Sequence, residues 1–302
     1  MPKKIECLGS RKPKKREVYQ VVHELRHKYK LKDLLEISSL SKSLYYYYFH
    51  NEDKQNKHEK TEEMIFNIFK ENKGRYGYRR IVLALRNEYG LFANHKLVRK
   101  IMKKYGLIYK ARRHRKYSSY RGTVGKVAPN VLRRQFAADG PFQKWATDIT
   151  EFNINGSKSY LSPIIDMYNE EIISYSISTS PNMNLVLDML EKAFKKLPPH
   201  QKPILHSDQG WHYQHPEYQA RLRHRGIVQS MSRKGNCLDN SVMENFFGKM
   251  KMETIYLYHI KSMSQMIDEI NKYISYYNFY RIKEKLGGYS PVDYRKMNQK
   301  NL

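Results

Sequence analysis

The chain has 302 residues, 40% of them apolar, which is enough for two domains or one larger domain with appendages. Its 56 Lys and Arg outnumber 29 Asp and Glu, a net charge of +27 that points to a polyanionic partner, most commonly nucleic acid. The two cysteines, Cys7 and Cys237, have neither zinc-site spacing nor a disulfide framework, and no apolar run approaches a membrane span, so disulfide-stapled secreted proteins and membrane spanners are set aside. The opening MPKKIECLGSRKPKKR has no apolar signal core, and a reducing cytoplasm with work at the nucleoid is the expectation. The charge is uneven. Residues 1–140 hold 35 basic and 13 acidic side chains, net +22, against 21 and 16, net +5, in residues 141–302. The first half therefore reads as a nucleic-acid gripper and the second as an ordinary globular domain, the better place for catalytic carboxylates.

In chain order, apolar residues recur at helical steps from Arg16 to about His50. Within KLKDLLEISSLSKSLYYYYFH (30–50) a helix, a Ser-rich turn and a second helix capped by Ser41 are predicted. That order suits a helix-turn-helix unit, and equally a two-helix packing unit. Tyr45 to Tyr48 would put core on one face and phosphate contacts on the other. The segment 51–60 is charged and has no apolar residue, so it reads as a linker. A second helical group follows: TEEMIFNIFKENK (61–73) with Thr61 as cap, GRYGYRRIVLALRNEYG (74–90) carrying Arg79 and Arg80, and ANHKLVRKIMKKYGL (93–107). The last of these turns Val98, Ile101 and Met102 inward and Lys96, Arg99, Lys100, Lys103 and Lys104 outward, a cationic face suited to a DNA backbone or to plain solvation. Residues 110–135 lack periodicity and read as a flexible basic connector.

The texture changes at Pro141. Three strand-like runs, QKWATDITEFNI, KSYLSPIIDMY and EIISYSIS, are separated by short polar breaks and predict an antiparallel meander. A helix (182–197), a fourth strand PILHS, a helix near 215–226, a fifth strand IVQSMS and a long helix from about Asp239 to Tyr256 complete an α/β pattern, a mixed five-stranded sheet with helices on it. Asp148 sits inside the first strand, where an Asp is disfavoured unless something binds it. Asp208 follows the fourth strand; alone it reads as a turn residue. Glu244 lies on the long helix beside a stripe of Met243, Phe246, Phe247 and Met250, and alone reads as solvated. At 100° per residue, Glu244 and Lys251 fall about 20° apart in azimuth, so a carboxylate and a cation share one face. If the first and fourth strands are neighbours, Asp148 and Asp208 meet.

These strings resemble the insertion-sequence transposases encoded by a downstream frame called OrfB, with a retroviral-integrase-type core of ribonuclease-H-like fold. The likeness runs over nearly the whole chain, through GRYGYRRI (74–81), NHKLVRKIM (94–102), WATDIT (145–150), YLSPIIDMY (160–168), HSDQGWHYQ (206–214), SMSRKGNCLDNSVMENFFGKMKME (230–253) and YNFYRIKEKLGGYSP (277–291). Asp208 and Glu244 are separated by 35 residues, and Lys251 stands seven beyond Glu244, as in that family. The resemblance implies that Asp148, Asp208 and Glu244 are catalytic and bind two Mg²⁺ or Mn²⁺ ions. It implies that Lys251 and Asn240 contact DNA near the element end, and that His206, Gln209 and Tyr213 line the site. The helical part, with Arg79, Arg80, Lys96, Arg99, Lys100 and Lys103, would bind double-stranded DNA, both terminal inverted repeats and target.

The implied reaction cuts one strand at each element end and then joins the freed 3′-OH to another phosphodiester, with a homo-oligomer holding the two ends together. An upstream-frame partner or frameshift fusion is compatible with this reading. RIKEK (281–285) departs from the family, many of whose members have a histidine after the Arg, which puts the role of that terminal segment in question. The expected organisation is a basic arm and helix-turn-helix-like unit (1–55), a second helical DNA-binding unit (56–115), a basic linker (116–140), a ribonuclease-H-like core (141–260) and a C-terminal helical segment (261–302). Two other readings compete: a non-catalytic DNA-binding regulator, and a nuclease acting on RNA–DNA hybrids, which shares the fold but has no use for the basic half.

Overall fold

In the computed structural model, residues 13–50, 58–109, 126–233, 237–255, 257–258 and 260–299 are described. The first twelve residues of the basic arm, most of the charged linker and residues 110–125 of the basic connector lie outside them. Contacts divide the chain into two compact units, Met1–Met64 and Ile65–Leu302.

The first unit holds α1 (Lys15–Leu25), α2 (Leu31–Ser38) and α3 (Lys42–Phe49). The Ser-rich turn forms as its residues require. Ser39 closes α2 in the left-handed region (φ 53°), and the Ser41 side chain caps α3 by accepting the Leu44 N–H at 3.3 Å. Tyr19, Val22, Leu34, Leu40 and Tyr45 make a small core. The tyrosine run splits by face, with Tyr45 fully buried and Tyr46 and Tyr47 exposed. The buried Tyr45 hydroxyl accepts from Arg26 at 3.2 Å.

α4 (Glu59–Glu71) begins two residues before Thr61, so Thr61 lies within the helix rather than capping it. In the second unit follow α5 (Tyr78–Tyr89) and α6 (His95–Lys104). Gly90 ends α5 at φ 65°, the left-handed C-terminal cap that glycine takes without strain. On α6, Asn94 caps the start and Val98, Ile101 and Met102 face inward.

The sheet comprises β1 (Lys144–Thr147), β2 (Thr150–Ile154), β3 (Ser157–Asp166), β4 (Ile172–Ser178), β5 (Ile204–Ser207) and β6 (Val228–Met231). β1 and β2 both pair antiparallel with β3 in one unbroken register, Thr147 opposite Ile164 and Thr150 opposite Leu161. They are a single strand interrupted at Asp148 and Ile149. That register sets Asp148 opposite Pro163, which has no N–H to complete the ladder. Counting the interrupted strand once gives five strands in the order β4-β3-β1/β2-β5-β6, with β3 alone running antiparallel to the others. This is the ribonuclease-H-like mixed sheet, and the expected meander and the neighbouring of first and fourth strands are both present.

Alternation along the strands feeds two cores. Ala146, Phe152, Leu161, Ile165 and Ile172 pack on one face against α10 (Ser241–Glu253) and α11 (Met263–Phe279). Trp145, Ile164, Ile173 and Leu205 pack on the other against α7 (Met183–Lys196) and α9 (Pro216–His224). A four-residue α8 (Trp211–Gln214) lies between β5 and α9, and α12 (Pro291–Gln299) ends the described chain.

The basic connector needs one correction. Its described end, residues 126–140, is bound to the core: Leu132 is buried, the Val131 and Leu132 N–H groups donate to Ser230 Oγ at 3.0 and 3.1 Å, and Arg134 pairs with Asp239 at 2.7 Å. Sequence texture misread it because pairing with acids from distant positions leaves no local periodicity.

Candidate active site

The break in the first strand is where the three expected carboxylates gather. Parallel pairing sets Ala146 beside His206, and the same register extended two residues past this last pair brings Asp148 toward Asp208, whose charge acts on it. Asp148 is 7% exposed, and its Oδ1 accepts the Ile149 N–H at 2.7 Å. Burial, and then the neighbouring Asp208 carboxylate, push the Asp148 pKa well above the usual carboxylate range; Glu244 adds to the rise and Lys251 opposes it. Asp208 is also raised by burial, against the Gly210 N–H that donates to its Oδ1 at 2.8 Å. A side chain there would crowd the carboxylate: a Cβ on Gly210 would lie 3.0 Å from that same oxygen, so Asp208 would have to shift.

Glu244 is brought to this face by α10, whose stripe of Met243, Phe246, Phe247 and Met250 is buried as the periodicity predicts. Lys251, on the same helix, lies with its ammonium 5.3 Å from the Phe152 ring, and burial holds its pKa below the ordinary lysine range against the pull of Glu151 and Asp148. Three acids and one lysine thus converge in an electrostatic group. Among the described residues no set of three or more His, Cys, Asp and Glu side chains is arranged to enclose a metal ion as it stands. The donor chemistry nevertheless suits a hard divalent cation: oxygen-only acids, two of them raised in pKa, are what an added positive charge relieves.

The other expected site residues are placed as follows. Asn240, at the start of α10, is 5% exposed and both its amide atoms lack hydrogen-bond partners. Tyr213 is buried with its hydroxyl unpartnered, and its pKa is raised well above the usual by burial, then by Asp148 and Asp208. Gln209 donates to Ser232 O at 2.9 Å. His206 is spent on structure, its ring nitrogens 2.9 and 3.2 Å from the hydroxyls of Ser230 and Ser232, and burial lowers its pKa to about 4. Lys96, Arg99, Lys100 and Lys103 are exposed on α6. Arg79 is exposed and 3.5 Å from Glu284, whereas Arg80 is partly buried, 3.4 Å from Glu253.

Two elements escaped the sequence reading. Asp239 is 1% exposed and accepts from Arg233 Nε at 3.0 Å, Arg134 at 2.7 Å and Asn130 at 3.2 Å, tying 126–140 and the strand after β5 to the start of α10. Those bonds, Arg233 first, hold its carboxyl far below the usual range. Farther along, Glu253 at the end of α10 is fully buried and held by Arg281 through two bonds of 2.8 and 2.7 Å, with Tyr273 donating at 3.1 Å. The terminal segment RIKEK therefore has a structural role. The only sequence signal for either was an acid at a position that helix burial would otherwise forbid.

Residues 138–237 and 244–298 match two family models described as integrase core domain, and residues 55–117 match an HTH-like domain. An Escherichia coli protein named as transposase InsK for insertion sequence element IS150 is 50% identical over 276 residues, covering 91% of this chain and 97% of that one. The transposase for insertion sequence element IS904 of Lactococcus lactis is 37% identical over 78% of this chain and 93% of its own. Among solved structures, the HTLV-2 integrase catalytic core domain aligns at a TM-score of 0.43 and 18% identity, over 52% of this chain and 98% of that one. Among the described residues no helix is long and apolar enough to cross a membrane.

Proposed function

This chain belongs to the family of insertion-sequence transposases with an integrase-type catalytic core, and on that premise we propose that Asp148, Asp208 and Glu244 carry its DNA cleavage and strand transfer. The activity is that of a DNA transposase, a polynucleotidyl transferase of the three-carboxylate class. The observation that carries the residue assignment is the electrostatic grouping of the three acids, the Asp208 and Glu244 charges both acting on Asp148, where the paired strands β1 and β5 end.

Asp148, Asp208 and Glu244 would hold Mg²⁺ or Mn²⁺, two ions per site. When bound, these supply charge stabilisation to the attacking and leaving oxygens of an in-line displacement. Lys251, on the Glu244 face of α10, pairs with a phosphate next to the scissile one and sets its orientation. The unpartnered Asn240 amide offers a donor and an acceptor to the same strand, and its burial without a partner is the cost such a contact would remove. Tyr213, on which both aspartates act electrostatically, has a buried hydroxyl without a hydrogen-bond partner that would donate to a carboxylate oxygen. In the first step water attacks the phosphodiester at an element end; the P–O3′ bond breaks and the 3′ oxygen leaves as a hydroxyl. In the second, that 3′-OH attacks a phosphodiester of another DNA segment, forming one P–O bond as another breaks, so no covalent protein intermediate is needed.

The exposed cations of α6, with Arg79 at the start of α5, suit the backbone of double-stranded DNA, terminal repeats and target alike. Holding two ends requires at least two copies on DNA. The organisation that fits is a helix-turn-helix-like unit, a helical DNA-binding unit and a core that begins by residue 126. The test is Asp148→Asn, Asp208→Asn and Glu244→Gln in a duplex cleavage assay with Mg²⁺, alongside binding without metal. Cleavage falls on the order of 1,000-fold or more in each while binding persists. Full cleavage in any one removes that residue from the mechanism.

A further inference from the structure

On the other flank of α10 lies a cleft of about 390 Å³, within the usual range of ligand sites, about 300–1,000 Å³. Lys249 reaches it from α10. Lys249 stands five positions after Glu244, about 140° round the helix, whereas Lys251 is only about 20° from Glu244. The cleft is thus separate from the three acids. It is lined by seven Lys and Arg side chains and two carboxylates, from the start of α5 and the segment before it, from α10, from residues 281–285 and from Glu170 in the turn between β3 and β4. Glu170 pairs with Lys283 at 2.8 Å and Lys285 at 3.6 Å, and Glu284 with Arg79 at 3.5 Å. Arg80 and Arg281 share Glu253.

Two cations are left over. Arg75 is 5% exposed, its Nε buried without any hydrogen-bond partner, its guanidinium 4.5 Å over the Tyr276 ring. Lys249 makes no hydrogen bond or ion pair with any described residue, and burial holds its ammonium below the ordinary range against the pull of Glu170. A third feature faces the same space. The N-terminus of α5 opens at Gly77, with no side-chain cap on its first N–H groups. A twelve-residue helix with uncapped N–H groups, a buried guanidinium whose Nε is unpartnered and which has only the Tyr258 hydroxyl at 3.5 Å as a hydrogen-bond acceptor among the described residues, and one unpaired lysine together describe a site lacking an anion.

We propose that this cleft holds a backbone phosphodiester of the DNA on which the chain acts, gripped between the start of α5, Lys249 and the 281–285 segment. The inference rests on the chain acting on DNA but not on the identity of its catalytic acids. A phosphodiester is favoured over a small free anion by the form of the rim. Arg79 and Lys285 have side chains 65% and 67% exposed, which carries the positive charge out of the cleft onto the surface where a strand would run.

The test uses the full chain carrying Asp148→Asn, without divalent metal, so that its outcome is independent of catalysis. Binding to duplex DNA is followed by fluorescence anisotropy across a salt series. Adding Lys249→Gln weakens binding about tenfold and lowers the slope of log affinity against log salt by about 0.9, the loss of one phosphate contact. Lys285→Gln, at the exposed rim where folding is not at stake, gives about threefold. Lys195→Gln, an exposed lysine on α7 of equal charge, stays within twofold. If Lys249→Gln and Lys285→Gln match Lys195→Gln in affinity and slope, the proposal is overturned. It is also overturned if inorganic phosphate stabilises the parent and not Lys249→Gln while DNA binding is equal in both, since the cleft would then serve a free anion.

Discussion

Replacing Asp148 by asparagine separates catalytic need from structural need. The substitution keeps an Oδ1 that can accept the Ile149 N–H, now bonded at 2.7 Å, and removes one charge from a buried pair of like charges. For a separation of one strand spacing, about 4.8 Å, and an effective dielectric of about 20, the repulsion of the two aspartates is about 3 kcal/mol. Side chains that splay apart or take up a proton recover part of it, so a gain of about 1.5–3 kcal/mol is expected in metal-free buffer near pH 7. For a unit of this size, each 1 kcal/mol moves Tm by about 2–4 °C, giving a rise of about 3–12 °C. The assay is thermal unfolding in EDTA and again with Mg²⁺. The parent starts lower and gains from Mg²⁺, whereas Asp148→Asn starts higher, gains little and does not cleave DNA. A variant less stable than the parent by 1 kcal/mol or more in EDTA, or a parent indifferent to Mg²⁺, would refute the electrostatic account of this site.

Asp166 supplies a pH dependence of definite sign. Burial raises its pKa to about 6 despite N–H donation from Phe142 and Tyr168, so the folded state binds this proton more tightly than the unfolded chain, and its contribution to stability falls as pH rises from about 4 to about 6. That is about 3 kcal/mol, read as the change in the urea-unfolding difference between the parent and Asp166→Asn from pH 4 to pH 6.5; a constant difference contradicts it. Arg281→Met leaves the buried Glu253 carboxylate with Arg80 at 3.4 Å and Tyr273, and costs about 3–5 kcal/mol by denaturant titration, most of it regained when Glu253→Leu is added. A single-variant loss under 1 kcal/mol would mean that the pair is not what fixes the end of α10.

How much of this was legible in the sequence depended on the range of the interaction. Local grammar carried far. Ser41 before α3, Gly90 after α5 and the stripe of Met243, Phe246, Phe247 and Met250 all act within one or two turns, and each stands where the sequence reading put it. The convergence of Asp148 with Asp208 needed one long-range assumption, that the first and fourth strands are neighbours, and the parallel pairing of β1 with β5 meets it. What stayed hidden is what only tertiary contact creates. Thr61 resembles a helix cap until α4 is seen to begin earlier, and residues 126–135 resemble a free linker until Ser230 and Asp239 take their donors. Pro163 is the instructive case. In isolation it argues against an interior strand, yet placed opposite Asp148 it explains why the ladder opens there, freeing the carboxylate from a fully paired strand and giving it room beside Asp208. The ladder opens at the candidate site, and the missing N–H of a proline on the neighbouring strand accounts for the gap.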